Sequence, residues 1–291
     1  MGDNSPRPGA EYVTLVELLT ARAAADPEQR VFTFLEDGEQ ESACLTLATL
    51  ERRARAIAAR LQRHGAQGGR ALLLFPPGLD FIAAFFGCLY AGTVAVPAYP
   101  PRSNRGLLRL LTILKDAEPS LLLSDSDLLR RLHRWSAQTA ELKTLPWIST
   151  DEIDQTQAGQ WHAPAVSGDT LAFLQYTSGS TAVPKGVMVS HRNVLHNERL
   201  IKTAFRQTDE SVVVGWLPLY HDMGLIGNVL QPLYAGARCV LMPPLAFLQK
   251  PVRWLECISR YRATTSGGPD FAYQLCVRKV TPTQRRHLAL D

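Results

Sequence analysis

The 291 residues predict an α/β fold of two lobes, each a mostly parallel sheet flanked by helices. Three observations carry that prediction. From Arg70 onward, short apolar runs alternate with helical patterns, the order expected of parallel strands joined by helical crossovers. A second series of the same kind starts at Leu171. Between them the polar stretch 151–169, with Gly159, Pro164 and Gly168, reads as a connection, so residues 1–168 form one lobe and 169–291 the other. With 46% hydrophobic and 20% charged residues, the chain has enough apolar material for both cores.

Taken in order, residues 13–25 have the apolar period of a helix, and 31–34 with 42–45 form a hairpin turning at Asp37-Gly38. Thr46 is placed to cap a helix with Leu47, Leu50, Ala54, Ile57 and Leu61 on one face, ending near His64-Gly65. The run 71–75, 81–91, 93–98, 107–116 and 120–124 reads strand, helix, strand, helix, strand. In the second lobe, strands are expected over 171–176, 211–217, 237–242 and 263–266, with helices beginning near His191, Met223, Pro251 and Pro269.

Composition excludes several functions. Thirty-one basic against 27 acidic residues give +4, too little to call for nucleic acid. Cys44, Cys88, Cys239, Cys257 and Cys276 are widely spaced in apolar stretches without a C-x-x-C pair, which predicts buried free thiols. No Cys/His cluster offers a metal site. No apolar run reaches the ~18 residues of a membrane span. The first ten residues lack the apolar core of a signal peptide and Pro6 spoils an N-myristoylation signal, so a cytoplasmic protein is expected.

The stretch 174–186, LQYTSGSTAVPKG, carries the chemistry. A polyphosphate demands many donors and a cation. Thr177, Ser178, Ser180 and Thr181 supply hydroxyls, Gly179 and Gly186 free the backbone to turn its N–H groups toward a ligand, and Lys185 supplies charge. A Ser/Thr/Gly surface turn would have the same composition, but the apolar run before it puts the loop at a strand's carboxyl end, where open α/β sheets bind ligands. The lysine lies six residues after Gly179 and precedes Gly186, which disfavours a P-loop kinase.

The segment YTSGSTAVPKGVMVSH resembles the signature loop of the adenylate-forming ligases, and Ala182, where most of that superfamily carry glycine, resembles the fatty acyl-AMP ligase branch. The resemblance extends from about Thr14 to Asp291. It implies the N-terminal domain of such a ligase, with Thr177, Ser178, Gly179, Ser180, Thr181 and Lys185 on the phosphates of ATP and Mg²⁺ as the accompanying ion. A second stretch, 216–227 (WLPLYHDMGLIG), sets His221 and Asp222 at another strand's end, and the two loops are expected to converge on one crevice. Read alone, the pair is a helix-capping aspartate with a surface histidine. The resemblance gives His221 contact with the reacting carboxylate and gating of the acyl pocket, with Asp222 a weaker candidate.

At 265–273 (TSGGPDFAY) two readings stay open. Gly267 and Gly268 could allow close approach of a ligand, or form a turn before a proline-initiated helix. The resemblance places Gly268 and Pro269 at the adenylate and acyl site. The segment 94–102, VAVPAYPPR, resembles the same branch and reads as structural.

No G-x-S-x-G elbow or partnered nucleophile is present, so the chemistry must come from the substrates. A fatty acid is ionised near pH 7 and can attack the α-phosphorus of ATP without a general base. The expected reaction is carboxylate plus ATP to acyl-adenylate plus pyrophosphate, with transfer to the phosphopantetheine thiol of an acyl carrier protein or carrier domain. An apolar lining from Leu219, Met223, Leu225, Ile226 and Phe271 is expected around the site. An acyl-CoA synthetase and a nucleotide-binding module without turnover are the alternatives. The family pattern continues past the residues matched here with a Mg²⁺-holding glutamate, a ribose-gripping aspartate and a small domain bearing a second lysine. These 291 residues alone are therefore expected not to complete the reaction.

Overall fold

The computed structural model describes residues 12–101, 103–136, 140–177 and 184–290. The described strands, in order, are β1 (Arg30–Phe34), β2 (Ala43–Thr46), β3 (Arg70–Leu74), β4 (Val94–Ala98), β5 (Leu121–Ser124), β6 (Trp147–Ser149), β7 (Leu171–Thr177), β8 (Lys185–Ser190), β9 (Val212–Gly215), β10 (Arg238–Leu241) and β11 (Thr265–Ser266). They form two sheets flanked by helices, as the alternation of patterns predicts.

The chain divides into two compact units. The first holds Ala48–Pro76, Asp80–Leu195 and the described residues through Ala25; the second holds Asp26–Leu47, Pro77–Leu79 and His196–Asp291. This differs from a boundary at 168/169 in two respects. The β1–β2 hairpin, expected in the first lobe, joins the sheet of the second unit. β7, expected to open the second lobe, belongs to the first.

The reason is strand pairing. β1 is buried along most of its length and so needs a neighbour on its open edge, which β10 provides in parallel register, Phe32 opposite Cys239 and Phe34 opposite Leu241. β7 finds its neighbour in β4, with Ala95 opposite Phe173. Neither partner is close in sequence.

In the first unit the sheet runs β6-β5-β3-β4-β7-β8, parallel except for the antiparallel β7–β8 pair. Strands β3 and β5 are buried almost throughout, so helices must cover both faces. On one face Leu72, Leu74, Val96 and Leu122 pack with Leu110, Ile113 and Leu114 of helix Asn104–Ala117. Phe85, on helix Leu79–Ala91, meets Phe173 of β7 edge-on at 5.6 Å. Gly87 lets that helix close on the helix Leu47–Arg63, since a Cβ there would lie 2.5 Å from Ile57.

The second unit's sheet runs β11-β9-β10-β1-β2. Its core gathers Val214, Val240 and Leu35 with Trp216, Phe247 and Trp254, the first two rings stacked at 4.1 Å. The hairpin turns where the Asp37-Gly38 pair predicts: Gly38 takes φ 79°, and Asp37 Oδ1 accepts from the N–H groups of Glu39 and Gln40, each at 2.8 Å. The five cysteines are free and four are buried. Among the described residues no helix is long and apolar enough to cross a membrane.

Candidate active site

The site residues lie in both units, and each part is described by itself. Ser178, Gly179, Ser180 and Thr181 lie outside the described residues. Thr177 and Lys185 bracket them. The sequence places a loop directly between a strand and the helix at His191; the structure inserts β8, so the loop joins two antiparallel strands and Lys185 opens the second. Thr177 and Lys185 are directly opposite each other across the ladder. Opposed residues share one face of a sheet with Cβ atoms about 5 Å apart, so a hydroxyl and an ammonium stand side by side where the loop leaves the strands. Both residues are exposed.

The next pair, Tyr176 and Gly186, occupies the other face. The Tyr176 hydroxyl donates to Asp116 Oδ2 at 2.5 Å, and a Cβ on Gly186 would come within 2.9 Å of the Tyr176 ring. Gly186 is therefore glycine because the phenol crosses it. Burial and the Asp116 hydrogen bond raise the Tyr176 pKa, so the phenol stays a donor. The Tyr176 ring thus packs β7 closely on β8 one residue pair away from Thr177 and Lys185.

In the second unit the chain leaves β9, passes Trp216 and makes a tight turn in which His221 N donates to the Pro218 carbonyl at 3.1 Å. His221 is the N-cap of helix Asp222–Leu225, which runs on through a π-helical segment Ile226–Leu230 and helix Gln231–Ala235 to a left-handed cap at Gly236. Gly224 makes this possible, because a Cβ there would strike the Pro218 carbonyl oxygen. His221 is exposed, with its ring 5.0 Å from that of Tyr220. Asp222 Oδ1 accepts from Met223 N at 2.7 Å, within the helix's first turn.

Behind Asp222 lies a cavity of about 530 Å³, wholly within the second unit. Of the five apolar residues expected to line the site, Met223 and Ile226 line this cavity; Leu219 does not, Leu225 is buried in the core, and Phe271 meets Trp216 edge-on at 6.1 Å. Ile201, Phe205, Val213 and Leu217 supply further apolar wall. Gly267 lines the cavity, with Met223 Cε 3.7 Å from where its Cβ would be. Gly268 has another reason to be glycine: a Cβ there would sit 2.9 Å from the Trp216 indole. Pro269 is the N-cap residue of helix Asp270–Lys279. At this segment the packing reading accounts for Gly268 and Pro269, and the cavity contact falls to Gly267.

Sequence reasoning missed the polar side of the cavity. Gln207 Nε2 donates to Thr265 Oγ1 at 3.1 Å, and Gln231 Nε2 donates to Gln207 Oε1 at 2.7 Å. This leaves the Gln231 oxygen facing the carboxyl of Glu198. Glu198 is fully buried, and burial pushes its pKa up to about 9. With the Gln231 amide reversed, its nitrogen donates to the Glu198 carboxyl and to the Glu198 carbonyl, the latter at 3.0 Å. Asn228, also on the cavity wall, is 93% buried, and its amide nitrogen has no hydrogen-bond partner. The signal was present in the sequence: Asn228 and Gln231 are amides in an otherwise apolar helical run.

Residues 19–289 match the family profile described as AMP-binding enzyme. The chain belongs to that family. Within the AMP-binding enzymes it is similar to JamA of Moorena producens (strain JHB), a medium-chain-fatty-acid–[acyl-carrier-protein] ligase, at 46% identity over 285 residues, covering 97% of this chain and 48% of JamA. It is similar to FadD21 of Mycobacterium tuberculosis, a putative fatty-acid–CoA ligase, at 37% identity, covering 92% of this chain and 48% of FadD21. A crystal structure of a Legionella pneumophila fatty acyl-adenylate ligase in complex with acyl adenylate and pyrophosphate matches with a TM-score of 0.89 and 42% identity, covering 95% of this chain and 48% of that one. The chain thus spans about half the length of these AMP-binding relatives.

Proposed function

We propose that this protein activates a fatty acid with ATP, giving an acyl-adenylate and pyrophosphate, and that the acyl group then passes to the thiol of an acyl carrier protein. The observation that carries the reading is the cavity of about 530 Å³ in the second unit, with Ile201, Phe205, Val213, Leu217, Met223 and Ile226 in its wall. Its size and lining suit an acyl chain. Similarity to the Legionella ligase holding acyl adenylate and pyrophosphate, and to the carrier-protein ligase JamA, supports the same reading.

In the reaction a carboxylate oxygen attacks the α-phosphorus, the bond to the bridging oxygen breaks, and its electron pair leaves with pyrophosphate. No protein base is required, because the acid is ionised at neutral pH. The chain's task is to place two anions in line and offset charge on the leaving group. Thr177 and Lys185, paired at the mouth of the loop, fit the phosphates by donor type and charge. With Ser178, Gly179, Ser180 and Thr181 between them they form the proposed ATP cradle. His221 is assigned to the carboxylate and the entrance of the acyl cavity. Among the described residues no group of three or more His, Cys, Asp or Glu side chains could hold a metal ion, so no protein ligand is assigned to Mg²⁺ and no step is routed through it.

Transfer to coenzyme A is the second reading, favoured by the similarity to FadD21. A cytoplasmic setting goes with either acceptor. Calorimetry tests the ATP assignment: a phosphate ion pair contributes roughly 1.5–3 kcal/mol, so Lys185→Ala is expected to weaken ATP binding about ten- to a hundredfold. Unchanged affinity in a folded variant refutes the assignment.

A further inference from the structure

Strand β8 opens on Lys185, and its own side chains do little to fix that end. It stands last in the sheet order, with β7 as its one neighbour among the described strands. Lys185, Val187 and Met188 are exposed, and Gly186 carries no side chain. A strand end with so little buried surface frays readily, and fraying here would carry the Lys185 ammonium away from Thr177.

The Tyr176 ring meets this end of β8 from within. It is buried in the same core as Leu110, Ile113 and Leu114 of helix Asn104–Ala117, and its hydroxyl donates to Asp116 Oδ2, in the last turn of that helix, at 2.5 Å. The part of the ring that lies against Gly186 is its far end: a Cβ on Gly186 would come within 2.9 Å of Tyr176 Cζ and 3.0 Å of the hydroxyl oxygen. The atom that Asp116 pins is therefore at the end of the side chain that touches the backbone next to Lys185.

Packing alone accounts for an aromatic ring at this position, and phenylalanine would fill the core as well. It does not account for the hydroxyl, nor for a carboxylate partner that is itself exposed and could be served by water. What the hydrogen bond adds is a fixed place for the ring's far end, and with it for the Gly186 backbone.

We propose that Tyr176 and Asp116 are positioning residues for Lys185: the phenol, held by the carboxylate, sets where the Gly186 backbone lies and so where the lysine ammonium stands beside Thr177. The Tyr176 side chain leaves the sheet on the face opposite Thr177 and Lys185, so it acts through the lysine and not on the nucleotide. The inference rests on the assignment of Lys185 to the phosphates of ATP and adds to it the groups that place the lysine.

The test is a double-mutant cycle on ATP binding, read by calorimetry on the 291-residue chain. A misplaced lysine forfeits part of the effect of its removal, so Tyr176→Phe and Asp116→Ala are each expected to weaken ATP binding about fivefold. Asp116→Asn keeps an oxygen for the phenol and should restore the affinity to within about twofold. In a Lys185→Ala background, Tyr176→Phe and Asp116→Ala should have no further effect, because no ammonium is left to place. A role in packing alone would weaken binding equally in both backgrounds, and that result overturns the inference. Full affinity in Tyr176→Phe and Asp116→Ala, beside a weakened Lys185→Ala, overturns it while the ATP assignment stands. Full affinity in Lys185→Ala overturns both. Asp116→Ala, a change at an exposed residue, decides the matter if Tyr176→Phe does not fold.

Discussion

Replacing Glu198 with glutamine should stabilise the protein, and by an amount that grows with pH. The carboxyl is fully buried, one of its oxygens has no partner, and burial alone raises its pKa from 4.5 to about 9. The unfolded chain releases this proton near 4.5 while the folded chain keeps it to about 9. Between those values the folded state binds more protons, so its stability is fullest below the lower value and declines as pH rises through the window. The slope is about 1.4 kcal/mol per pH unit, which amounts to about 3 kcal/mol at pH 7. Glutamine has no proton to lose and keeps a side-chain oxygen to accept from the Gln231 nitrogen. Urea denaturation of both proteins near pH 5, 7 and 8.5 should therefore show a small difference at the acid end and a widening advantage for Glu198→Gln toward the basic end. A difference that stays flat with pH, or favours glutamate at high pH, would mean that Glu198 is ionised in the folded protein, and the effect assigned to its burial would be wrong.

His191 should produce the opposite slope on the acid side. It is buried, its Nδ1 accepts from Leu15 N at 3.2 Å, and burial lowers its pKa from 6.5 to about 4. Here the unfolded state binds the extra proton, so stability falls as pH drops from 6.5 toward 4, by up to about 3 kcal/mol. His191→Asn, which keeps an acceptor for Leu15, should flatten that limb of the pH-stability curve. Two glycines of one helical run should respond in opposite directions to alanine. Gly224→Ala drives a methyl into the Pro218 carbonyl and should cost about 1–3 kcal/mol, whereas Gly227 has open space around it, and Gly227→Ala should be neutral or stabilising by up to about 1 kcal/mol. Thermal unfolding of the pair checks this, and equal losses would contradict the contact.

The sequence by itself determined what depends on neighbours a few residues away. Alternating apolar and helical runs fixed the α/β class, because strand and helix periods are local properties of the chain. Asp37-Gly38 fixed the hairpin turn, since aspartate bonds to the two following N–H groups and glycine takes the positive φ. Thr177, the hydroxyl-rich run and Lys185 read as a polyphosphate cradle, and the resemblance of that segment to the adenylate-forming ligases implied the chemistry expected there.

Only the tertiary structure decided which sheet each strand joins. β1 and β10 pair across some two hundred residues, a contact that no local pattern encodes, and the division into two units follows from it. Tertiary packing also separated glycines that look alike in sequence. Gly186 and Gly268 yield to the Tyr176 and Trp216 rings, Gly224 to a carbonyl, and Gly267 to a cavity. Composition could flag Asn228, Gln207, Gln231 and Glu198 as polar, but not that they are buried together. A hydrogen-bond chain drawn from three separate segments exists only after the sheet and its covering helices have brought those segments into contact, and burial there is what raises the Glu198 pKa and leaves the Asn228 nitrogen unpaired.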